Sequence, residues 1–314
     1  IQSNAGVMSE RRLPVAPARL RRGSKSIIAT TFDGDLVRLD PETFEIVDGP
    51  ARPFPGSIEM LTICGDDIVG FWIENEMAIG RMAWLDSGKG IVEGIPRDEL
   101  RRWMLRRQRP VPQVEGANWS RTIDRLPLAM TTHGDAVVFA LESLGVYCID
   151  SDGAERWRAA LPTWEELSNL RFGGEPAAIV SHHELIRVWS IAGGWIDLDD
   201  SGEIVSEGIV ESPGRLLGAW WHENGGWLIA FANGDLCQVD CEGNEWRHAS
   251  NGPAQSAEWI DGRWHIAGWR ELIAIQAQSA LRKEHPELMI GFIGSSEENH
   301  AVDNQGALIP TLKE

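Results

Sequence analysis

One tyrosine stands against fifteen tryptophans, and only four cysteines occur in 314 residues. Cys64, Cys148, Cys237 and Cys241 follow no disulfide-framework spacing. Cys237 and Cys241 flank a strand end, but a zinc site needs two further ligands and none is near, so all four are read as unpaired, reduced thiols. No apolar run reaches the roughly 20 residues of a membrane-spanning helix, and no membrane association is expected. A Gly-x-Ser-x-Gly nucleophile turn is missing. Asp86-Ser87-Gly88-Lys89-Gly90 lacks the upstream glycine and the hydroxyl residue after lysine that a phosphate loop needs, and reads as a turn. His182-His183-Glu184 would put adjacent imidazoles on opposite faces of a strand, where they cannot share an ion. The other histidines show no ligand spacing. No catalytic residue, metal or cofactor is therefore expected.

What is present is enough for a folded core: 43% of residues are apolar and 24% charged. The net charge is −18 but unevenly spread, with two locally basic segments, 10–25 and 97–109. An acidic body repels phosphate backbones, so nucleic-acid binding is not expected. Residues 1–7 look like a tag remnant left by a protease site, which leaves Met8 as a native start and 8–314 as a single domain. Ser9-Glu10-Arg11-Arg12-Leu13-Pro14 has no apolar signal-peptide core, so a cytoplasmic location is expected.

A strand-turn phrase organises the chain. Tyr147-Cys148-Ile149-Asp150-Ser151-Asp152-Gly153 runs from an apolar strand into a turn. It returns at Asp199-Asp200-Ser201-Gly202, Asp240-Cys241-Glu242-Gly243 and Asp303-Asn304-Gln305-Gly306, and more loosely at Asp40 and Asp86. Asp suits the first turn position because its carboxylate accepts amides two residues on, and Gly suits the fourth because positive φ costs it nothing. Asp150 and Asp199 superficially resemble calcium loops, but too few oxygen ligands follow. The interval after Asp240 has room for one degenerate copy near Ile273–Gln276, with Gln in place of Asp. That makes seven copies. The residues after Asp303 and those from Met8 to Asp40 together make one more period, as a closed ring requires. Residues 8–25 read as an extended arm or outer strand. Ser26–Phe32, Leu36–Leu39 and Phe44–Val47 read as three strands of one small sheet.

Periods near 40 residues, each with several short strands, are the signature of propeller blades. The chain resembles β-propeller repeat proteins of the WD-repeat and quinoprotein-like types. Asp150…Gly153…Trp157 and Asp240…Gly243…Trp246 look like the quinoprotein repeat, in which the Trp docks onto a neighbouring blade. Gly202 and Gly306 have no following Trp, and no Trp-Asp dipeptide stands where WD repeats have one. The resemblance implies an all-β propeller, seven blades of four antiparallel strands over residues 26–314. Quinoprotein dehydrogenases look larger, have eight blades and carry an adjacent cysteine pair, so the likeness does not bring a quinone cofactor with it.

Helical insertions interrupt the pattern. Pro96 opens Arg97–Arg109, with acids in the first turn and Leu100, Trp103 and Met104 on one face among six arginines. Thr163–Leu170 has Thr163 and Glu166 at capping-box spacing, and Ser279–Glu284 reads as a third, short helix. An Arg-flanked Trp is a frequent interface anchor. Arg101, Arg102, Trp103, Arg106 and Arg107 are therefore the expected contact residues of a monomeric, non-catalytic scaffold that binds another protein. The blander reading has the arginines pairing with the acidic body while the apolar face caps the propeller. Because the chain loosely looks like propellers that accompany AAA-type ATPases and adaptors, such a protein is an expected partner. The alternative is a ligand-binding or hydrolytic site at the mouth of the central channel, scattered over the blades.

Overall fold

Apolar runs broken by Gly- and Asp-containing turns become antiparallel strands, because each turn brings the next run back beside the last. The computed structural model of the protein describes residues 11–106, 110–170, 172–294 and 298–313. Its strands form seven separate meanders, the blades of a β-propeller. Blades 1 to 6 have four strands each and span 17–51, 57–123, 127–159, 176–209, 216–249 and 256–284. Blade 7 has three strands over 289–310, and its outer edge is filled by the start of the described chain. Arg12 bridges Ala307, the Leu13 amide donates to Gly306 O, and the Leu308 amide donates to Arg11 O. Both ends of the chain thus lock one blade, which closes the ring and covers the outer edge of that blade's third strand.

The first strand of every blade is innermost, and these strands adjoin one another around the axis, with Pro17–Arg22 beside Met289–Gly294. This corrects the expectation for residues 8–25. Pro17–Arg22 is the inner strand of blade 1; only Arg11–Leu13 lies at an outer edge. The reason is Leu20, which is buried in the cluster shared by blades 1 and 7.

The core lies between blades. Phe71, Met82 and Trp84 of blade 2 pack on Val137 and Phe139 of blade 3, while Trp189 of blade 4 packs with Ile229 and Phe231 of blade 5. Trp72, Trp84, Trp189 and Trp264 are fully buried. Each removes roughly 150–250 Å² from water, about 4–6 kcal/mol of transfer free energy.

The turn aspartates act as expected. Asp150 Oδ1 accepts the amides of Asp152 and Ala154, Asp199 Oδ1 those of Ser201 and Glu203, and Asp240 Oδ1 those of Glu242 and Asn244. Their oxygens serve the turns. These turns join the third and fourth strands, whereas Asp303, with the same bonds to Gln305 and Ala307, joins the second and third strands of blade 7.

Tryptophan docking between blades is also present. A Cβ on Gly202 of blade 4 would lie 2.6 Å from the Trp157 ring of blade 3. On the preceding blade, the Trp119 ring lies against Gly153 and its Nε1 donates to Ser151 O at 2.8 Å. Trp119 pairs with Trp84, Trp157 with Cys148 and Trp246 with Gln238, each opposite the residue two before the turn aspartate. Trp119 is therefore the repeat's Trp in blade 2, separated from Asp86 by the insertion.

Two helical expectations change. Residues 163–170 hold a single 3-10 turn, Glu165–Leu167, with Trp164 at its cap position and no capping side chain. Trp164 instead covers Gly194, where its ring excludes any Cβ. Ser279–Glu284 is the fourth strand of blade 6, paired in register with Glu271–Gln276; as an exposed outer strand it carries no apolar alternation. His183 differs too. It adopts a left-handed turn (φ 49°) after the strand, so its ring comes to the same side as His182 and both edges meet Trp221.

Candidate functional site

Four-stranded meanders place their connections at two ends. Second-to-third and fourth-to-first connections form one end, here the loop end; first-to-second and third-to-fourth connections form the other, the turn end. The two ends differ chemically. At the turn end, the connections 40–45, 150–154, 199–203 and 240–244 contain Asp and Glu and no Lys or Arg. At the loop end, the connections expose Phe32, Leu126, Leu144, Leu170, Phe172 and Trp269, with Phe32 66% and Trp269 50% accessible.

The insertion of blade 2 adds a helix to the loop end. After Asp86 it climbs beside blade 1, where the Ile91 amide donates to Asp48 Oδ2 (2.6 Å) and the Gly94 amide to Arg52 O (2.9 Å). It then forms α1 (Arg97–Leu105). The returning segment is held by the fully buried Arg81, whose Nε donates to Pro112 O at 3.0 Å. Pro96 precedes the first turn, Asp98 and Glu99 lie within it, and Leu100 is buried among Phe54, Trp72, Ile91 and Val114.

The arginines of α1 divide into two sets. Arg97 pairs with the buried Glu74 and with Glu76 (3.2 Å), and the Glu74 hydrogen bond raises its pKa. Arg101 Nη2 reaches Glu76 Oε2 at 2.7 Å. These two dock the helix onto the second-to-third connection of its own blade. Arg102, whose Nε donates to Asp98 O, and Arg106 at the C-cap are exposed. Trp103 is half-buried, while Leu105, with 79% of its surface accessible, is the most prominent apolar side chain. Arg107 lies outside the described residues. The expected contact set is thus split: Arg101 anchors the helix, whereas Arg102 and Arg106 flank an apolar tip made by Met104 and Leu105.

The central channel is a concavity of about 720 Å³ lined by all seven inner strands. Arg21, Arg22 and Glu258 line it together with Met60, Met130 and Trp220. Sequence reasoning missed these residues because it placed residues 8–25 outside the ring. The alternation Arg19-Leu20-Arg21, polar-apolar-polar as on a strand with one buried face, was the available signal.

A polar network staples blade 4. Asp197 Oδ1 accepts from His182 Nε2 (2.9 Å) and Arg187 Nε (2.7 Å), and Oδ2 accepts from Arg187 Nη2 (2.7 Å) and Ser206 Oγ (2.8 Å). The Arg187 guanidinium sits 3.9 Å from the Trp195 ring centroid and 4.6 Å from that of Trp227. Every oxygen is occupied and the group is sealed by rings, so it holds strands rather than a substrate.

Among the described residues, no group of three or more His, Cys, Asp and Glu could hold a metal, and no helix is long and apolar enough to cross a membrane.

Closed ring, seven blades and interblade tryptophans define a β-propeller. Its fold is that of solved propellers. The β-propeller domain of Cps50 (Swd1) from Myceliophteria thermophila is similar over 96% of this chain and 97% of its own, with TM-score 0.65 and 13% identity. The WD40 β-propeller domain of Doa1 gives TM-score 0.61 at 6% identity, covering 95% of this chain and 93% of that one. BamB from Moraxella catarrhalis gives TM-score 0.54 at 12% identity, over 92% of this chain and 80% of that one. No protein-family model matches the chain, and no curated protein matches it.

Proposed function

We propose that the protein is a non-catalytic, cytoplasmic scaffold that binds another protein through the loop end, with α1 as the contact element. The observation that carries this reading is the tip of α1: Met104 and Leu105 are exposed between Arg102 and Arg106, on a helix already fixed to the body by Leu100, Arg97 and Arg101. An apolar anchor flanked by guanidiniums on a rigid element is the composition of an interface centre. Arg107 extends the same basic set in sequence. A partner presenting apolar side chains among carboxylates would complement it, and would be repelled from the acidic turn end. An AAA-type ATPase or its adaptor is the first partner to assay.

The test is quantitative capture of partners from host extract by the wild type and by a Leu105→Asp/Arg102→Glu variant. Trp103→Ala is less informative, because Trp103 is half-buried and lies before the exposed tip. Loss of the bound protein in the variant is expected, at least roughly 30-fold for a central contact. Equal recovery of the same protein by both forms would refute the assignment.

A further inference from the structure

Two arginines, Arg21 and Arg22, line one wall of the channel, Arg19 precedes them on the same strand, and in a chain of net charge −18 none of the three forms an ion pair among the described residues. Arg19, Arg21 and Arg22 all come from the inner strand of blade 1. Arg19 Nη1 donates to Ile58 O, and Arg21 donates to Leu61 O and Leu20 O. These carbonyls hold the side chains in place but leave their charge unmatched. By contrast, Arg38, Arg52, Arg97, Arg156 and Arg187 each meet a carboxylate.

We propose that the central channel is an anion-binding site, in which Arg21, turned toward blade 2, takes the phosphate or carboxylate group of a small molecule and Arg22, on the other face of the strand beside Gly294 of blade 7, adds a second positive charge. The volume, about 720 Å³, is that of a ligand pocket, and guanidiniums match tetrahedral and planar oxyanions through paired donors. The walls differ. Blade 1 offers cations, while Met60, Met130, Ala178 and Val180 from blades 2 to 4 are apolar, and the Trp220 ring of blade 5 lies over Gly218. An anion with an apolar body would use both.

Two electrostatic features agree with this. Arg21 lies deep in the channel yet is wetted by it; burial, and secondarily the neighbouring Arg19, push its pKa down, so its charge is stabilised by an incoming anion. Burial pushes the Glu258 carboxyl up to about 7 against the pull of Arg22, so near neutral pH this carboxyl competes only partly for the guanidinium.

The experiment is calorimetric titration of the full chain at low ionic strength with inorganic phosphate, phenyl phosphate and, as the neutral control, phenol. A saturable one-to-one isotherm for a phosphate, none for phenol, and a loss of roughly tenfold or more in Arg21→Gln/Arg22→Gln are expected. Arg21→Lys keeps the charge without the fork and should weaken binding less. Preference for phenyl phosphate assigns an organic ligand, and equal affinity a free oxyanion; both uphold the site. An Arg102→Glu/Arg106→Glu variant should bind as the wild type does. No saturable binding at millimolar phosphate, or binding that survives in the channel variant and disappears in the α1 variant, would overturn the proposal.

Discussion

Replacing Asp197 by Ala should be among the most damaging single changes in the protein. Asp197 is 3% accessible and accepts four hydrogen bonds, two of them from Arg187. Its removal strands a guanidinium between the Trp195 and Trp227 rings and frees the His182 and Ser206 donors. Breaking a buried pair from one side costs about 3–5 kcal/mol, because the remaining charge stays desolvated. With a urea slope of ~2–3 kcal/mol/M, the unfolding midpoint followed by tryptophan fluorescence should fall by roughly 1–2 M. Asp197→Leu/Arg187→Met removes both charges and should cost clearly less than Asp197→Ala. The pH dependence has a definite sign. Burial pushes the carboxyl up, but the hydrogen bonds from Arg187 and His182 outweigh it and hold its pKa well below the usual range. Its contribution is therefore present above the unfolded value of about 3.9 and is lost as pH falls below it, when only the unfolded chain takes up the proton. The Ala variant should show a shallower loss of stability between about pH 5 and 3. A midpoint shift under ~0.3 M, or a double variant as unstable as the single one, would show that the network does not hold blade 4.

The remaining predictions concern docking and thiols. Gly202 (φ 83°) and Gly243 (φ 86°) share a left-handed backbone, but only Gly202 lies under a Trp ring; nothing is within 4 Å of a Cβ on Gly243. Gly243→Ala should cost ~1 kcal/mol and Gly202→Ala ~2–4 kcal/mol by urea unfolding, and equal costs would remove Trp157 docking from the account. Cys64, Cys148 and Cys237 are buried, with burial pushing their thiols up to about 11, 11 and 12, whereas Cys241 is exposed. Native protein should release colour from Ellman's reagent for one thiol, and denatured protein for four.

The blade repeat was legible because its signal is local. Asp150, Asp199 and Asp240 each satisfy their own turn's amides, so the aspartate, the glycine and their spacing carry the geometry within five residues. Trp157 and Trp246 follow closely enough to be read with them. Trp119 was hidden because the insertion sets it 31 positions after Gly88, whereas Trp157 follows Gly153 by four. Ser279–Glu284 was misread because an outer strand buries little, which leaves no period-two pattern to distinguish it from a charged helix. Of the expected contact residues, Arg102 and Arg106 stand beside the exposed tip, and nothing in their sequence distinguishes them from Arg97 and Arg101, which grip Glu74 and Glu76.

By itself the sequence determined the turns, most of the strands and the number of repeats, since each depends on residues within hydrogen-bonding reach along the chain. Only the tertiary structure decided which strand lines the axis, which arginines meet a carboxylate and which do not. Ring closure brings Arg11–Leu13 to residues 306–308 and sets Arg21 and Glu258 around one channel. Those relations join residues hundreds of positions apart, and they come into being only when all seven blades have packed.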